Sequence, residues 1–219
     1  MKIINFGLED QTNAKKETEV VIYAKITNPE GLSHASKIEN HEQAQIKTKK
    51  GSIRVRKVTI TGREPYYEMT SKTKVPGSTI HESIEKTERI NKKTYDLFIE
   101  SCDSFMSKVR YIFPIETITG KKGDLAFQIP AKELNFEVDV FRNPKGQTSE
   151  WCKIDIEVDK LSVILKENDL TVQDIKFMAK IGKLPFKPNH VVIDGGSDED
   201  PTKRELITAL YQNEFLIPR

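Results

Sequence analysis

The stretch LNFEVDVFRNPKGQTSEWCKIDIEVDKL (134–161) decides the fold class. In its first half Phe136, Val138 and Val140 alternate with Glu137 and Asp139. In its second half Ile154, Ile156 and Val158 alternate with Asp155 and Glu157. Successive strand side chains point to opposite faces, so residues i and i+2 share one. Each half therefore reads as a strand with one apolar face and one acidic face. PKGQ (144–147) between them reads as a turn, which makes the pair a hairpin.

Working outward, the same alternation recurs. EVVIYAKI (19–26) is β-branched and aromatic, and SIRVRKVTI (52–60) alternates cleanly after Gly51. PYYEMTSKTKV (65–75) stops at Pro76-Gly77, and KVRYIFPIETI (108–118) reads as a strand bent at Pro114. The run from Ser78 to Met106 lacks Gly and Pro and reads as mostly helical, with a strand at its beginning as the alternative; LTVQDIKFM (170–178) reads as a helix with Thr171 as its N-cap. GGSDEDPTK (195–203) is an acidic linker, and RELITALYQNEF (204–215) is a short amphipathic helix ending before Pro218. That helix caps the domain or, alternatively, mediates a homodimer. The chain divides into a main domain over 1–190 and a linker with helix over 191–219.

Composition excludes several functions. There are 35 Lys+Arg and 33 Asp+Glu in 219 residues, so a high charge density hides behind a net charge of only +2. That balance argues against a general coat for nucleic acid or an acidic membrane. No apolar run reaches the ~18 residues of a membrane helix, and the N-terminus lacks a signal-peptide core. No membrane association is expected. Cys102 and Cys152 form no CxxC and read as reduced thiols of a cytoplasmic protein. The four histidines lack metal-ligand spacing, and no HExxH, GxGxxG or P-loop motif occurs.

Charge sorting by strand is the informative pattern. Arg54 and Arg56 share a face, as do Lys72 and Lys74, and Lys108 and Arg110. Glu137 with Asp139, and Asp155 with Glu157, form acidic doublets. A solubilising surface mixes signs, whereas here each strand carries one sign. Six cations suit a polyanion, with Arg matched to phosphate oxygens. Four carboxylates suit Mg²⁺ or Mn²⁺. Like charges crowd within the acidic pair, so neutralising Glu137 and Asp139 is expected to stabilise the metal-free chain.

These residues, in this order over about 17–160, resemble the CYTH superfamily, the triphosphate tunnel metalloenzymes. SIRVRK resembles its LRxR strand, YEMTSKTK its YxLTxKxK strand, KVR its KxR strand, FEVDVF its ExD strand and IDIEV its ExE strand. The resemblance implies an α+β fold: a closed antiparallel eight-stranded barrel, or tunnel, with helices packed outside. It implies a Mg²⁺- or Mn²⁺-dependent triphosphatase acting on tripolyphosphate or a nucleoside triphosphate such as ATP. Arg54, Arg56, Lys72, Lys74, Lys108 and Arg110 would hold phosphates. Glu137 and Asp139, with Lys25, would serve catalysis. Metal would sit on Asp155, Glu157, Glu137 and Asp139. The family's opening ExExK strand is broken: with Lys25 as its lysine, Val21 and Tyr23 occupy the glutamate positions. A shifted arrangement would use Glu17 and Glu19 as further metal ligands with Lys25. The broken signature keeps two alternatives open: an inactive tunnel that binds a nucleotide, polyphosphate or an RNA 5′ end, and a class IV-type adenylyl cyclase.

Overall fold

The structure, a computed structural model, describes residues 15–74, 82–131, 134–170, 175–179, 208, 210, 212 and 214–218. Strands β1 (Lys15–Lys25), β2 (Lys37–Thr48), β3 (Gly51–Ile60), β4 (Tyr66–Lys74) and β5 (Glu82–Ile90) are followed by helix α1 (Lys92–Glu100). Then come β6 (Ser104–Lys122), β7 (Leu125–Pro130), β8 (Asn135–Arg142), β9 (Thr148–Glu157), helix α2 (Val158–Glu167), β10 (Ile175–Ala179) and β11 (Leu216–Pro218). Every strand pairing is antiparallel. With few helices, the fold is α+β and mostly sheet.

The strands belong to one eleven-stranded sheet in the order β10-β6-β2-β3-β4-β5-β1-β9-β8, with β7 and β11 also on β6 and a further ladder between β6 and β8. A self-contained eight-stranded barrel is therefore not the arrangement found. The reason is the length of β6, 19 residues. Its first half pairs with β2 and β8, and Pro114 is the last residue on the β8 ladder. Beyond it, β6 takes β7 and β10 as partners.

Local chemistry explains the tight connections. In the β8–β9 hairpin the Asn143 side-chain oxygen accepts the backbone N–H groups of Lys145 (3.1 Å) and Gln147 (2.9 Å), and Gly146 takes φ +80°. At the start of β3, a side chain on Gly51 would place Cβ 1.9 Å from the Lys72 carbonyl oxygen. Asn91 caps α1 by accepting the Thr94 N–H at 2.9 Å.

Two expected helices are corrected. Within 78–106, Glu82–Ile90 is strand β5, and among the described residues only Lys92–Glu100 is helical. β5 pairs with β4 on one edge and β1 on the other, and these ladders override local propensity. In 170–178, Ile175 onward is strand β10, held by the far half of β6; Thr171 lies outside the described residues. The C-terminal segment is helical at 208, 210 and 212, then turns at Glu214 (φ +59°) into β11, which extends the edge of β6. No helix among the described residues is long and apolar enough to cross a membrane.

The larger apolar clusters lie on the side of the sheet opposite the charged doublets. Phe136, Val138, Val140, Cys152, Ile154 and Ile156 are each no more than 1% exposed and pack with Leu165 of α2. Ala44 and Val55 pack with Tyr95 of α1 and with Cys102. Both helices thus cover the face opposite the charged doublets. Burying these groups supplies most of the folding drive, at about 25 cal/mol per Å² of apolar surface.

Candidate functional site

Directly opposed residues of an antiparallel ladder share a face. The registers therefore assemble the doublets. Arg110 is opposite Asp139, which is opposite Lys153, which is opposite Tyr23. Glu137 is opposite Asp155, which is opposite Val21. On the other arm, Arg56 lies between Gln43 and Glu68, and Arg54 between Gln45 and Thr70. Lys72 is opposite Glu85 and Ser52. All five described doublet cations thus share one face with Glu137, Asp139 and Asp155. For Glu17, Glu19, Lys74 and Glu157 only the backbone register is described: Glu19 is opposite Glu157, and Glu17 and Lys74 are both opposite Ser83. Lys25 is apart from this cluster, exposed, with Nζ 5.0 Å above the Trp151 ring.

The face is buried although it is charged. Asp139 is 0% exposed, Lys108 5% and Asp155 6%. Burial of charge is tolerated only with compensation, and the compensation is specific. Asp139 accepts Arg110 Nε at 2.7 Å, Arg110 Nη2 at 2.8 Å and Lys108 Nζ. Arg110 also donates to Glu137 and, at 3.4 Å, to Asp155. Lys153 lies 2.6 Å and 2.8 Å from the two Asp155 oxygens. Arg56 donates to Glu68 at 3.2 Å, and Lys72 lies 2.5 Å from Glu85. Arg54 has no ion pair among the described residues; its Nη2 reaches Thr70 Oγ1 at 3.5 Å.

The electrostatics follow from this packing. Burial opposes the charge on Asp139, but Arg110 and Lys108 outweigh it and hold the carboxyl well below its usual range. Burial likewise opposes the charge on Arg110, and its three carboxylate partners hold it firmly protonated. Lys108 is pushed down to about 7, chiefly by burial, with Arg110 and Arg56 adding repulsion. Arg56 is lowered to about 10 by burial and by Arg54.

Several members of this face escaped sequence reading. Strand β2 supplies Glu39, His41 and Gln43, all buried. His41 Nε2 lies 2.9 Å from Glu39 Oε2, and Lys37 flanks the same carboxylate at 2.6 Å. The His41 hydrogen bond, with Lys37, lowers Glu39 to about 2. Burial lowers His41 to about 4, so its ring is neutral. The signal was the alternation Glu39, His41, Gln43, Gln45 in KIENHEQAQIK. Glu68 and Lys153 are the other additions.

One end of the face is apolar. Val21 and Tyr23 cluster with Phe141 and with Leu210 and Phe215 of the C-terminal segment, packed by Met106 and Trp151. The positions where the resembled signature carries glutamates are thus part of a small hydrophobic core.

No family model matches this chain, and no curated protein does. Among solved structures it is similar to the PH1819 protein from Pyrococcus horikoshii OT3, with 15% identity, a TM-score of 0.39, and cover of 72% of this chain and 93% of that one. It is also similar to the putative adenylyl cyclase HpAC1 from Hippeastrum, whose structure is described as revealing a dominant triphosphatase activity. Identity there is 13% and the TM-score 0.39, covering 75% of this chain and 92% of that one. Likeness at this level carries no inference about activity.

Proposed function

We propose that this chain acts on a triphosphate, either inorganic tripolyphosphate or a nucleoside triphosphate, held within a tunnel lined by its charged face. The observation that carries this is the convergence of Arg54, Arg56, Lys72, Lys108 and Arg110, from separate strands, on one face, where Arg56 and Lys108 are buried and the other three half-buried. Four of these cations already meet carboxylates of the face, and Arg54, with no ion pair among the described residues, is the one left to meet an anion. Support for a tunnel comes from β6, which pairs with β2 through Ser104–Ile112 and with β8 through Ser107–Pro114.

A divalent ion, Mg²⁺ or Mn²⁺, would complete the site. Glu137, Asp139 and Asp155 do not fit as its ligands in this state, because Arg110, Lys108 and Lys153 occupy their oxygens. Among the described residues no three His, Cys, Asp or Glu are grouped to hold a metal. The donor chemistry that fits is the row where Glu19 opposes Glu157, with Glu17 two residues along β1. Such an ion would polarise a phosphoryl oxygen. Arg54, Arg56 and Lys72 would bind phosphate oxygens and neutralise charge that develops during in-line transfer.

The test is phosphate release from tripolyphosphate and ATP by the full chain with Mg²⁺ or Mn²⁺. Metal-dependent release that Arg54→Ala and Glu157→Gln each abolish, with circular dichroism unchanged, is the expected result. No release from either substrate with either ion rejects hydrolysis. A tunnel that binds a nucleotide, polyphosphate or RNA 5′ end without turnover is the alternative. It is favoured by Val21 and Tyr23, which sit in an apolar cluster rather than presenting carboxylates. Calorimetric binding of tripolyphosphate with no product formed would select it. Cyclic nucleotide and pyrophosphate as products would select a cyclase.

A further inference from the structure

Five buried polar atoms of the charged face have no hydrogen-bond partner among the described residues. Asp155 Oδ1 has the Lys153 ammonium 2.6 Å away, and the other four are His41 Nδ1, Gln43 Oε1, Arg54 Nε and Arg56 Nε. These four are neighbours by register. His41 and Gln43 are two residues apart on β2, Gln43 is opposite Arg56, and Gln45 is opposite Arg54. His41, Gln43 and Arg56 are only 1%, 7% and 8% exposed. Native proteins rarely leave such groups unpaired, because each forfeits its hydration.

The polarity of each atom can be assigned. Glu39 is ionised, so the imidazole nitrogen facing it must donate, and Nε2 carries the hydrogen. The ring is neutral, so Nδ1 is a bare lone pair. Gln43 Oε1 is a second acceptor, while the Nε–H groups of Arg54 and Arg56 are donors. The patch therefore offers two acceptors beside two cationic donors. Donors alone would suit any fully ionised anion. Acceptors among them repel such an anion and require a ligand that brings its own hydrogen.

We infer that this patch is a subsite for a protonated phosphate group, with a P–OH donated to His41 Nδ1 or Gln43 Oε1 and unprotonated oxygens accepting from Arg54 and Arg56. The inference rests on the phosphate-binding reading of the face and adds which protonation state it selects. A chain-end phosphate and free orthophosphate both carry this chemistry; an internal phosphate of a chain does not. The charged groups around His41 are Glu39 and Lys37 on its own strand, Arg56 on β3, and Lys108 and Arg110 on β6.

Calorimetry on the full chain with inorganic phosphate and with sulfate, at pH 5.5 and pH 8, tests this. Phosphate loses a proton between these values, with its second ionisation near ~6 in phosphate esters. Sulfate stays a dianion and so reports any change in Lys108. At pH 5.5 phosphate should bind at least about tenfold tighter than sulfate, the scale of one hydrogen bond to a charged group. The ratio should fall toward one at pH 8. Gln43→Leu and His41→Phe should each lower the ratio at pH 5.5, and the wild-type comparison stands even if a variant fails to fold. Equal binding of the two anions at pH 5.5, or a ratio that does not change with pH, overturns the inference while leaving phosphate binding intact. Tripolyphosphate binding without orthophosphate binding also overturns it. Failure of all three anions overturns the phosphate reading of the whole face.

Discussion

Asp139→Asn is the most informative single substitution. Asp139 is fully buried and neutralises two cations, Lys108 and Arg110. Each pair, at about 3 Å and an effective dielectric near 20, carries roughly 5 kcal/mol of Coulomb attraction. The net loss is much smaller, for three reasons. The Asn carbonyl still accepts one hydrogen bond. Arg110 keeps Glu137 and Asp155. Lys108, already lowered to about 7, can shed its proton at little cost near neutrality. A destabilisation of about 3 kcal/mol remains, at the low end of the range for breaking a buried pair. Urea unfolding at pH 7 in chelator should show a lower midpoint with an unchanged slope. The pH dependence has a defined sign. Without its carboxylate partner Lys108 titrates lower still, so below pH 7 the folded variant binds fewer protons than folded wild type. The variant therefore gains on wild type as pH rises toward 7, and the cost is larger at pH 6 than at pH 8. From sequence, like-charge crowding between Glu137 and Asp139 predicted a gain in stability when the pair is neutralised. A loss below about 1 kcal/mol, or any gain, would refute the ion-pair account given above.

Two further outcomes follow from buried groups at either end of the face. His41 is lowered to about 4 when folded against 6.5 when free, so the unfolded chain binds the extra proton between these values. Stability should fall as pH drops from about 6.5 to 4.5, by up to roughly 1.4 kcal/mol per pH unit, and His41→Gln should flatten that limb of a denaturation series; an unchanged limb rejects the assignment. Phe215, 6% exposed, packs with Leu210, Val21, Tyr23 and Phe141, so Phe215→Ala should cost about 3 kcal/mol in the same unfolding assay, and a cost under about 1 kcal/mol would mean that the C-terminal segment is not docked there.

Strand parity is a local property, and it was legible wherever one face was apolar. The alternation of Phe136, Val138 and Val140 with Glu137 and Asp139 specified both the strand and its acidic face. The basic doublets at Arg54 and Arg56, and at Lys108 and Arg110, were legible for the same reason. Strand β2 was not, because Glu39, His41 and Gln43 alternate with Asn40 and Glu42, and neither face announces itself as core. β5 lies in a run that reads as mostly helical, with a strand at its beginning only as the alternative, because Ile84 and Ile90 without Gly or Pro suit a helix equally well. Only its ladders to β4 and β1 decide otherwise.

Taken alone, the sequence determined an antiparallel β-rich chain that carries basic and acidic doublets on single strand faces, since both follow from the order of neighbours along the chain. Tertiary structure decided which charges meet. Arg110 reaches Asp139 and Asp155 because β8 pairs with both β6 and β9, and no local pattern encodes that register. It also turned Glu137, Asp139 and Asp155 from open carboxylates into neutralised ones, and placed Val21 and Tyr23 beneath the C-terminal segment. Pairing between distant strands sets both, because it fixes which side chains lose water together.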